Sequence, residues 1–539
     1  MSYTVVLTAD RGSFSDYAGN NALGYVACMP YRLVPRIMMD KLFTPPMKAH
    51  SNGEAVLAPY ALRKVEAILY SSGIKGVAVS PPEQLYRTIG ENTKVVGLTV
   101  HDPYGFSPVS TKITMLFGGG DAWNAEFFSE ISETIRDLKK KYGFKVIAGG
   151  PGVWQFSLKK PDYVDAIFNG EAEIDMPNVV RKMIEGDDFP RITKGKDPKV
   201  DQIPTIIKPS RFGEVQVTRG CPRGCQFCSI TPETFRSIPL DAISREIQLN
   251  LDHGVRHTDL ITDDILLYGS KKLRTNHDEV VKLFSTVKDL GMEEIYFPHV
   301  SAPAVRESPE TIYDIGNIAE YYRYRAESPV VGLESGSVRI LDKYMRGKAF
   351  PWEPKEWGDI IIDSAGIMND AYITPVYTMT IGFDDETNAD VEESIKLVEN
   401  IIDSGVRAWV FPLPVIPITT SRIRGKSFPE LERLPDLYWT LLYISWKHDI
   451  NITRKMFPYL SSRTNNVLIR SLVNTISERT FSNLERIFRA FMETKGRKAY
   501  DYSSISLEGP GGIVRTMMMF GKIAVKRSIA SRKGARTTA

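Results

Sequence analysis

Cys221-Pro-Arg-Gly-Cys225-Gln-Phe-Cys228 contains three of the four cysteines of this 539-residue chain. Three thiolates on one short loop can hold three corners of a cubane iron–sulfur cluster, whereas the usual electron-carrier cluster takes four cysteines. One iron is therefore left open to another ligand. The loop follows Glu214-Val-Gln-Val-Thr218, whose alternation predicts a strand. The cysteines thus begin at the carboxyl end of a strand, where the active sites of (β/α) barrels lie.

Two other uses of these cysteines are weaker. A structural zinc site takes four ligands, usually in two pairs, and the remaining cysteine, Cys28, lies far upstream. A disulfide framework is not expected in a long, cysteine-poor chain without an apolar N-terminal signal segment. These features predict a reduced, cytoplasmic protein.

The composition is that of an ordinary globular protein, with 42% hydrophobic residues, 25% charged residues and a net charge of +3. At this length two or three domains are expected. The charge is too close to neutral to indicate a nucleic-acid partner. The longest apolar runs are interrupted by prolines and are too short for a membrane-spanning helix.

Strand and helix patterns alternate through most of the chain, which predicts an α/β fold. A proline-rich stretch interrupts the alternation before the cysteine loop, and helical patterns alone follow the last strand pattern. We therefore predict a Rossmann-like, doubly wound domain (1–195), a linker (196–212), a partial (β/α)6 barrel (213–428) and a helical C-terminal region (429–539). The predicted barrel strands are Val215–Thr218, Thr258–Thr262, Glu294–Phe297, Val330–Leu333, Thr374–Ile381 and Ala408–Phe411.

The cysteine loop, with Phe227 directly before its third cysteine, resembles the signature of the radical S-adenosylmethionine (SAM) superfamily. The resemblance implies that Cys221, Cys225 and Cys228 ligate a [4Fe–4S] cluster whose open iron is chelated by SAM. It also implies that an electron, from a reductant such as ferredoxin or flavodoxin, cleaves SAM to a 5′-deoxyadenosyl radical. Glu334 and Ser335 stand in a Gly-Leu-Glu-Ser-Gly-Ser stretch similar to one that lies beside SAM in that superfamily. The same stretch also fits a helix N-cap.

Further candidate active-site residues follow other predicted barrel strands, because the active sites of barrels lie at the carboxyl ends of their strands. Paired acids at Asp263 and Asp264 fit ribose binding, a substrate contact, helix capping or pairing with nearby lysines. A lone histidine such as His299 is more often a hydrogen-bonded wall residue than a base. The predicted SAM-binding residues outside the cysteine loop are Glu334, Ser335, Asp263, Asp264, His299 and Gly382.

Two glycine turns in the N-terminal domain, Gly149-Gly150-Pro151-Gly152 and Gly170-Glu171-Ala-Glu173, follow predicted strands. Each alone fits a simple strand-to-helix turn as well as a close approach to a ligand. In this order before the cysteine loop, they resemble the cobalamin-binding domain of B12-binding radical SAM enzymes. The resemblance implies corrin contacts at Gly149, Gly150, Pro151, Gly170 and Glu171. The histidine motif that ligates cobalt in B12-dependent mutases is absent, and a long insertion begins at His101. His101 and Tyr104 are candidates for the corrin face or ordinary loop residues.

The C-terminal tail after Glu508 has no acidic residue and mixes seven basic residues with apolar ones. It fits either a peripheral contact with anionic lipid at the inner membrane surface or a docked helix with a frayed basic end. With cobalamin bound, the resemblance implies methyl transfer to an unreactive carbon. If the N-terminal domain binds no cobalamin, the resemblance favours radical carbon–carbon bond formation over methyl transfer, as in archaeal enzymes that cyclise isoprenoid lipids. The rival from another class is a non-catalytic iron–sulfur protein. Cys28 is either a plain thiol or a hydrogen-atom donor near the cavity.

Overall fold

The computed structural model describes residues 3–19, 21–116, 119–230, 233–322, 326–416, 418, 421–423, 435–462 and 467–495. The basic C-terminal tail lies outside these residues, so its predicted lipid contact stays a prediction. Among the described residues, no helix is both long enough and apolar enough to span a bilayer.

The N-terminal sheet consists of six parallel strands in the order β2-β1-β3-β4-β5-β6. Every residue of β1 is buried, as expected for a strand covered by helices on both faces. β6 was not predicted from the sequence, because it lies in the proline-rich stretch and is mostly exposed at the sheet edge. The strands are β1 (Val5–Ala9), β2 (Val77–Val79), β3 (Val95–Thr99), β4 (Lys145–Gly149), β5 (Ala166–Asn169) and β6 (Ile192–Lys194).

Helices cover this sheet on both sides. α3 and α7 pack on one face and α6 packs on the other. The strand order reverses between β1 and β3, so the usual ligand crevice of such a sheet lies at the carboxyl ends of these two strands. The helices are α1 (Arg11–Phe14), α2 (Arg36–Met38), α3 (Tyr60–Ser71), α4 (Leu85–Thr88), α5 (Pro108–Leu116), α6 (Trp123–Tyr142) and α7 (Met176–Glu185).

The second sheet system is a half barrel of parallel strands. The triplets β11-β10-β7 and β12-β13-β14 are joined by a bridge between His299 and Val330. The first predicted barrel strand, Val215–Thr218, is divided in the structure, because β7 pairs with β10 whereas β8 turns away to pair with β9. The strands are β7 (Val215–Gln216), β8 (Thr218–Arg219), β9 (Arg236–Ser237), β10 (His257–Ile261), β11 (Glu294–Tyr296), β12 (Val330–Glu334), β13 (Val376–Ile381) and β14 (Trp409–Pro414).

Seven helices accompany the half barrel, and their apolar faces share one hydrophobic core with its strands. The mixed α/β fold with parallel sheets is therefore confirmed. The helices are α8 (Leu240–Asp252), α9 (His277–Asp289), α10 (Ala302–Glu307), α11 (Pro309–Ile318), α12 (Val338–Met345), α13 (Trp357–Asp370) and α14 (Asn388–Ser404).

Two long C-terminal helices, α15 (Leu437–Ser462) and α16 (Val467–Thr494), pack on each other, and α15 covers the free edge of β14. Asp449 Oδ1 accepts a hydrogen bond from the Val410 amide at 2.8 Å. His448 Nε2 lies 3.0 Å from the carbonyl oxygen of Ala408. The unpaired backbone groups of the edge strand are thus satisfied by the helix.

The segment 196–212, predicted as a linker, is packed between the two sheet systems. Lys64 of α3 donates to Pro204 O at 2.6 Å and to Glu246 of α8 at 2.7 Å. Arg63 donates to Pro209 O at 3.0 Å. Buried charged side chains thus bind this segment to both of its neighbours.

Candidate active site at the carboxyl end of the half barrel

The three loop cysteines lie together beyond β8. Cys225 is buried, Cys221 and Cys228 are half-buried, and all three are in the reduced form. Burial raises the pKa of the Cys225 thiol to about 12, and the nearby Cys228 and Cys221 add to this rise. The three thiols therefore lie near one another on the same short loop.

Arg223 anchors the cysteine loop from below. Its buried guanidinium donates to Ser301 Oγ at 2.7 Å and to Asp264 Oδ2 at 3.3 Å. It also donates to the carbonyl oxygens of Lys348 and Phe350 at 3.0 and 3.1 Å. The loop is therefore held by the ends of two strands and by the turn after α12.

Glu334 and Lys348 form a buried ion pair next to the thiols. Glu334 ends β12, and its carboxylate accepts from Lys348 Nζ at 2.8 Å and from Thr380 Oγ1 at 2.6 Å. Burial lowers the pKa of Lys348, but Glu334 and the thiols of Cys225 and Cys221 outweigh burial and raise it above its ordinary value. A positive charge is thus fixed where thiolates would carry negative charge.

Gly332 makes room for this pair. A Cβ at Gly332 would lie 2.1 Å from Glu334 Oε1 and 2.2 Å from Lys348 Nζ. A glycine inside a strand often marks such a close approach. Gly332, the first residue of the Gly-Leu-Glu-Ser-Gly-Ser stretch, is therefore needed for packing, which the sequence alone did not indicate.

These residues fit an iron–sulfur cluster. Within the described part of the chain, no group of three or more His, Cys, Asp or Glu side chains is arranged to hold a single metal ion. Three neighbouring thiols on one short loop have the chemistry to hold a cubane cluster, whose cysteines bind separate irons. The buried Lys348 ammonium beside them would offset the negative charge of thiolate ligands.

The other predicted SAM-site residues have different surroundings. Asp264 is buried beneath the loop, where Arg223 and Ser301 occupy its carboxylate, so its contacts are those of a positioning residue. Asp263 is half-buried, and burial, followed by the charge of Asp264, raises its pKa to about 6. Burial lowers the pKa of His299, whose ring is surrounded by protein yet accessible to solvent. His299 is exposed, and its Nδ1 lies 3.0 Å from the carbonyl oxygen of Thr262.

Ser335 and Gly382 bond to the protein itself. Ser335 Oγ accepts from the Ser337 amide at 3.1 Å, and Ser337 caps α12, so the helix-cap interpretation holds. The Gly382 amide donates to Glu386 Oε2 at 2.8 Å and to Tyr438 of α15. The C-terminal helices thus contribute directly to the wall at the end of β13.

Aromatic rings surround the outer side of the loop. Phe227 contacts Phe383 edge to face, with ring centroids 6.0 Å apart. Tyr344 stacks on Phe383 at 4.4 Å, and its hydroxyl donates to Asp385. Phe227 therefore belongs to an apolar cover over the cysteines.

The glycine turn after β4 is packed against its own chain. A Cβ at Gly150 would lie 2.6 Å from Val100 O, and one at Gly152 would lie 2.1 Å from His101 O. Because these glycines have no side chain, the backbone of the loop after β3 can pack directly against the turn. Gly149 and Pro151 belong to the same turn, and a corrin contact at Gly149, Gly150 or Pro151 stays a prediction from the resemblance.

The crevice at the switch point is filled by side chains. Asn124 of α6 lies beside Gly12 of α1, after β1. It also donates to Asp102, after β3, at 3.4 Å and to Cys28 at 3.8 Å. Burial raises the pKa of Cys28 to about 11, which makes it an unreactive thiol. These contacts occupy the part of the crevice between the ends of β1 and β3, and cobalamin binding stays a prediction from the resemblance.

His101 and Tyr104 lie on the loop beside this crevice. The side chain of His101 is exposed. Tyr104 packs edge to face on Phe128, with ring centroids 5.4 Å apart, and its hydroxyl donates to Lys159 O at 2.7 Å. Tyr104 therefore has the contacts of an ordinary loop residue.

Glu171 joins the two sheet systems. Its carboxylate pairs with Arg219, which ends β8, and with Arg236 of β9. Glu173 pairs with Arg219 at 2.7 Å. The glycine turn at Gly170 thus places two acids against the strand that leads into Cys221. A corrin contact at Gly170 or Glu171 stays a prediction from resemblance.

Fold and site together define a class of protein. The family model of the radical SAM superfamily matches residues 215–398, which run from β7 into α14. This part of the chain is therefore a radical SAM domain, which implies a [4Fe–4S] cluster and SAM as its cofactors.

Among curated proteins, the chain is similar to tRNA-2-methylthio-N(6)-dimethylallyladenosine synthase of Sulfurihydrogenibium sp., with 25% identity over 57% of this chain and 68% of that protein. It is also similar to the ribosomal protein uS12 methylthiotransferase RimO of Chlorobium chlorochromatii, with 28% identity over 36% of this chain and 42% of that protein. The chain thus covers less than half of the second relative. A solved structure of the radical SAM methyltransferase TsrM from Kitasatospora setae matches with 11% identity and a TM-score of 0.45, over 76% of this chain and 73% of that chain.

Sequence reasoning missed Arg223 and Lys348. Arg223 lies inside the cysteine motif, where its position gave no sign that it reaches Ser301. Lys348 follows α12 and returns to Glu334 only because the chain turns back after that helix. Gly347, where a Cβ would lie 2.3 Å from Arg223 O, was the available signal for a close contact.

Proposed function

We propose that this chain is a radical SAM enzyme that functionalises an unactivated carbon of its substrate. The observation that carries the proposal is the grouping of three thiols beside the buried Glu334–Lys348 pair at the carboxyl end of a parallel half barrel. Cys221, Cys225 and Cys228 would hold a [4Fe–4S] cluster, which would pass an electron from an external reductant to SAM for its reductive cleavage. A non-catalytic iron–sulfur protein has no need of a carboxylate at a neighbouring strand end.

The residues around the thiols have separable roles in this proposal. Lys348 holds a positive charge next to Cys225 and Cys221, which favours their thiolate forms. Glu334 offers carboxylate oxygens that accept from ammonium or hydroxyl groups of SAM. Phe227 and Phe383 keep water from the outer side of the loop, which protects a reactive radical.

Anaerobic reconstitution tests the proposal. We expect the purified chain to take up about four irons and four sulfides, and added SAM to change the EPR spectrum of the reduced cluster. Alanine variants of Cys221, Cys225 and Cys228 should each lose the cluster. Cys28→Ala is the matched control and should keep it. An EPR spectrum that SAM leaves unchanged would support the non-catalytic rival instead.

Two reactions are candidates for the next step of the substrate radical. Resemblance to B12-binding enzymes favours cobalamin-dependent methyl transfer. The filled crevice around Asn124 favours radical carbon–carbon bond formation without a corrin, and we propose this second outcome. Incubation with hydroxocobalamin followed by desalting distinguishes them. Corrin retained in about stoichiometric amount would contradict our choice, whereas a cluster spectrum without corrin bands would support it.

Methylthio transfer, named in the two curated relatives, requires a source of sulfur. Outside the cysteine loop this sequence contains one cysteine, Cys28. A second cluster held by three cysteines of this sequence is therefore excluded as that source. An isoprenoid lipid substrate and a ferredoxin or flavodoxin reductant are further parts of the proposal, to be tested by adding each to the reconstituted protein.

A further inference from the structure

Lys348 is a buried cation whose backbone lies against the cysteine loop. Its carbonyl oxygen accepts from Arg223 Nη1 at 3.0 Å, and a Cβ on the neighbouring Gly347 would lie 2.3 Å from Arg223 O. Arg223 stands two residues after Cys221 and two residues before Cys225. The backbone of Lys348 is therefore fixed against the middle of the loop that carries the thiols.

The side chain of Lys348 is also held in place. Its Nζ donates to Glu334 Oε1 at 2.8 Å, and only 13% of the lysine side chain is exposed. The other oxygen of Glu334 accepts from Thr380 Oγ1 at 2.6 Å, which fixes the carboxylate in turn. The ammonium thus keeps one position, and water and salt screen its charge much less than they screen a surface charge.

The carboxylate of Glu334 does not cancel the effect of this ammonium on the thiols. Burial raises the pKa of the Cys225 thiol to about 12, and Lys348 opposes this rise more strongly than Glu334 adds to it. Burial also raises the pKa of Cys221, and Lys348 is among the groups that oppose that rise. The pair therefore acts on Cys225 as a net positive charge.

A charge in this place affects the reduction of a cluster. The reduction potential of a protein-bound iron–sulfur cluster depends on nearby charge, on hydrogen bonds to its sulfurs and on solvent exposure. Reduction adds one negative charge to the cluster. A fixed positive charge beside its ligands therefore stabilises the reduced form, and a negative charge in the same place destabilises it.

We propose that the buried Lys348–Glu334 pair sets the reduction potential of the cluster held by the three loop cysteines. Lys348 makes the cluster easier to reduce, and Glu334 limits this effect. Reduction takes one electron from the external reductant and makes or breaks no bond at either side chain, so Lys348 is a positioning residue. The inference rests on the proposed function, because it requires the cluster.

A redox titration of the reconstituted full chain, followed by EPR and performed without SAM, tests this inference. Lys348→Met should make the cluster about tenfold harder to reduce, which is a shift of about 59 mV to more negative potential for a one-electron couple. Glu334→Gln should shift the potential in the opposite direction, because it leaves the ammonium unopposed. The opposite signs distinguish a charge effect from a general loosening of the site.

Lys343→Met is the matched control. The carbonyl oxygen of Lys343 also accepts from the cysteine loop, from Gln226 Nε2 at 2.7 Å, but its side chain is 51% exposed and pairs with Asp385. Its charge is therefore screened by water, and its removal should leave the potential at the wild-type value.

Each outcome has a defined meaning. Equal potentials for Lys348→Met and Lys343→Met would overturn the inference while leaving the proposed function intact. Should Lys348→Met not take up iron, Glu334→Gln decides, and a potential that is unchanged or more negative would overturn the inference. A wild-type chain that takes up no iron would overturn the proposed function itself. Because SAM is omitted, a failure of SAM cleavage leaves the titration unchanged.

Discussion

Replacement of Lys348 by methionine removes the positive partner of Glu334 without creating a large cavity. The two charges are 2.8 Å apart, and the side chains are 13% and 8% exposed. With an effective dielectric constant of about 20, the attraction between them is about 6 kcal/mol. Breaking a buried pair by removing one partner costs about 3 to 5 kcal/mol, since the remaining charge stays buried. We expect Lys348→Met to lower the free energy of unfolding by this amount.

A double-mutant cycle with Glu334→Gln separates the pair from other effects. The double variant carries no buried charge at this position and should recover most of the lost stability. The free energies come from anaerobic urea unfolding of the reconstituted protein, followed by circular dichroism. Lys288→Met is the matched control, because Lys288 and Glu320 are also 2.8 Å apart but 27% and 60% exposed. It should cost less than about 1 kcal/mol.

A coupling between Lys348 and Glu334 is refuted if the free-energy losses of the two single variants add to within about 0.5 kcal/mol in the double variant. Additivity would mean that the two side chains do not depend on each other. It would also remove the argument that a fixed positive charge belongs beside the thiols.

Three further predictions follow from individual contacts. Gly347→Ala should reduce iron uptake on reconstitution, because the new Cβ would lie 2.3 Å from Arg223 O. Gly366→Ala is the control and should not reduce it, because a Cβ there meets no atom within 4 Å. Equal iron contents in the two variants would contradict the importance of the Gly347–Arg223 contact. Burial, followed by neighbouring acids, raises the pKa of Glu233 from its ordinary 4.5 to about 7, so the contribution of this carboxyl group to stability is present below about pH 4.5 and is lost as pH rises through about 7. Glu233→Gln should therefore raise the thermal midpoint at about pH 8 and not at about pH 4, and a gain at both would refute the assignment. Arg219→Met should make limited proteolysis between the two sheet systems faster, because Glu173 loses Arg219 and Glu171 keeps only Arg236; cleavage at the wild-type rate would show that the Arg219 pairs are dispensable.

The fold was largely predictable, because parallel strands buried on both faces carry apolar runs. β12 and β13 lie within two residues of their predicted positions. The cysteine loop was predictable for a different reason, since its ligands are close in sequence. β6 was missed because an exposed edge strand needs no apolar run. Thr218 was placed in the wrong strand, because alternation continues across the break between β7 and β8.

The rest of the site depends on contacts between distant parts of the chain. Glu334 was identified at a strand end, but its partner Lys348 is brought back by a helix and a turn. Asp264 was expected to face the cavity, yet it lies under Arg223, because a buried guanidinium in the loop requires a carboxylate.

The covering of β14 by α15 has a consequence for how much of the chain can be removed. Asp449 and His448 satisfy backbone groups of the edge strand that would otherwise remain open. A chain shortened before Leu437 would present that edge to other molecules, and an open edge recruits strands from neighbouring chains. α15 therefore shields this edge of the half barrel from strand addition by other chains, in addition to completing its wall.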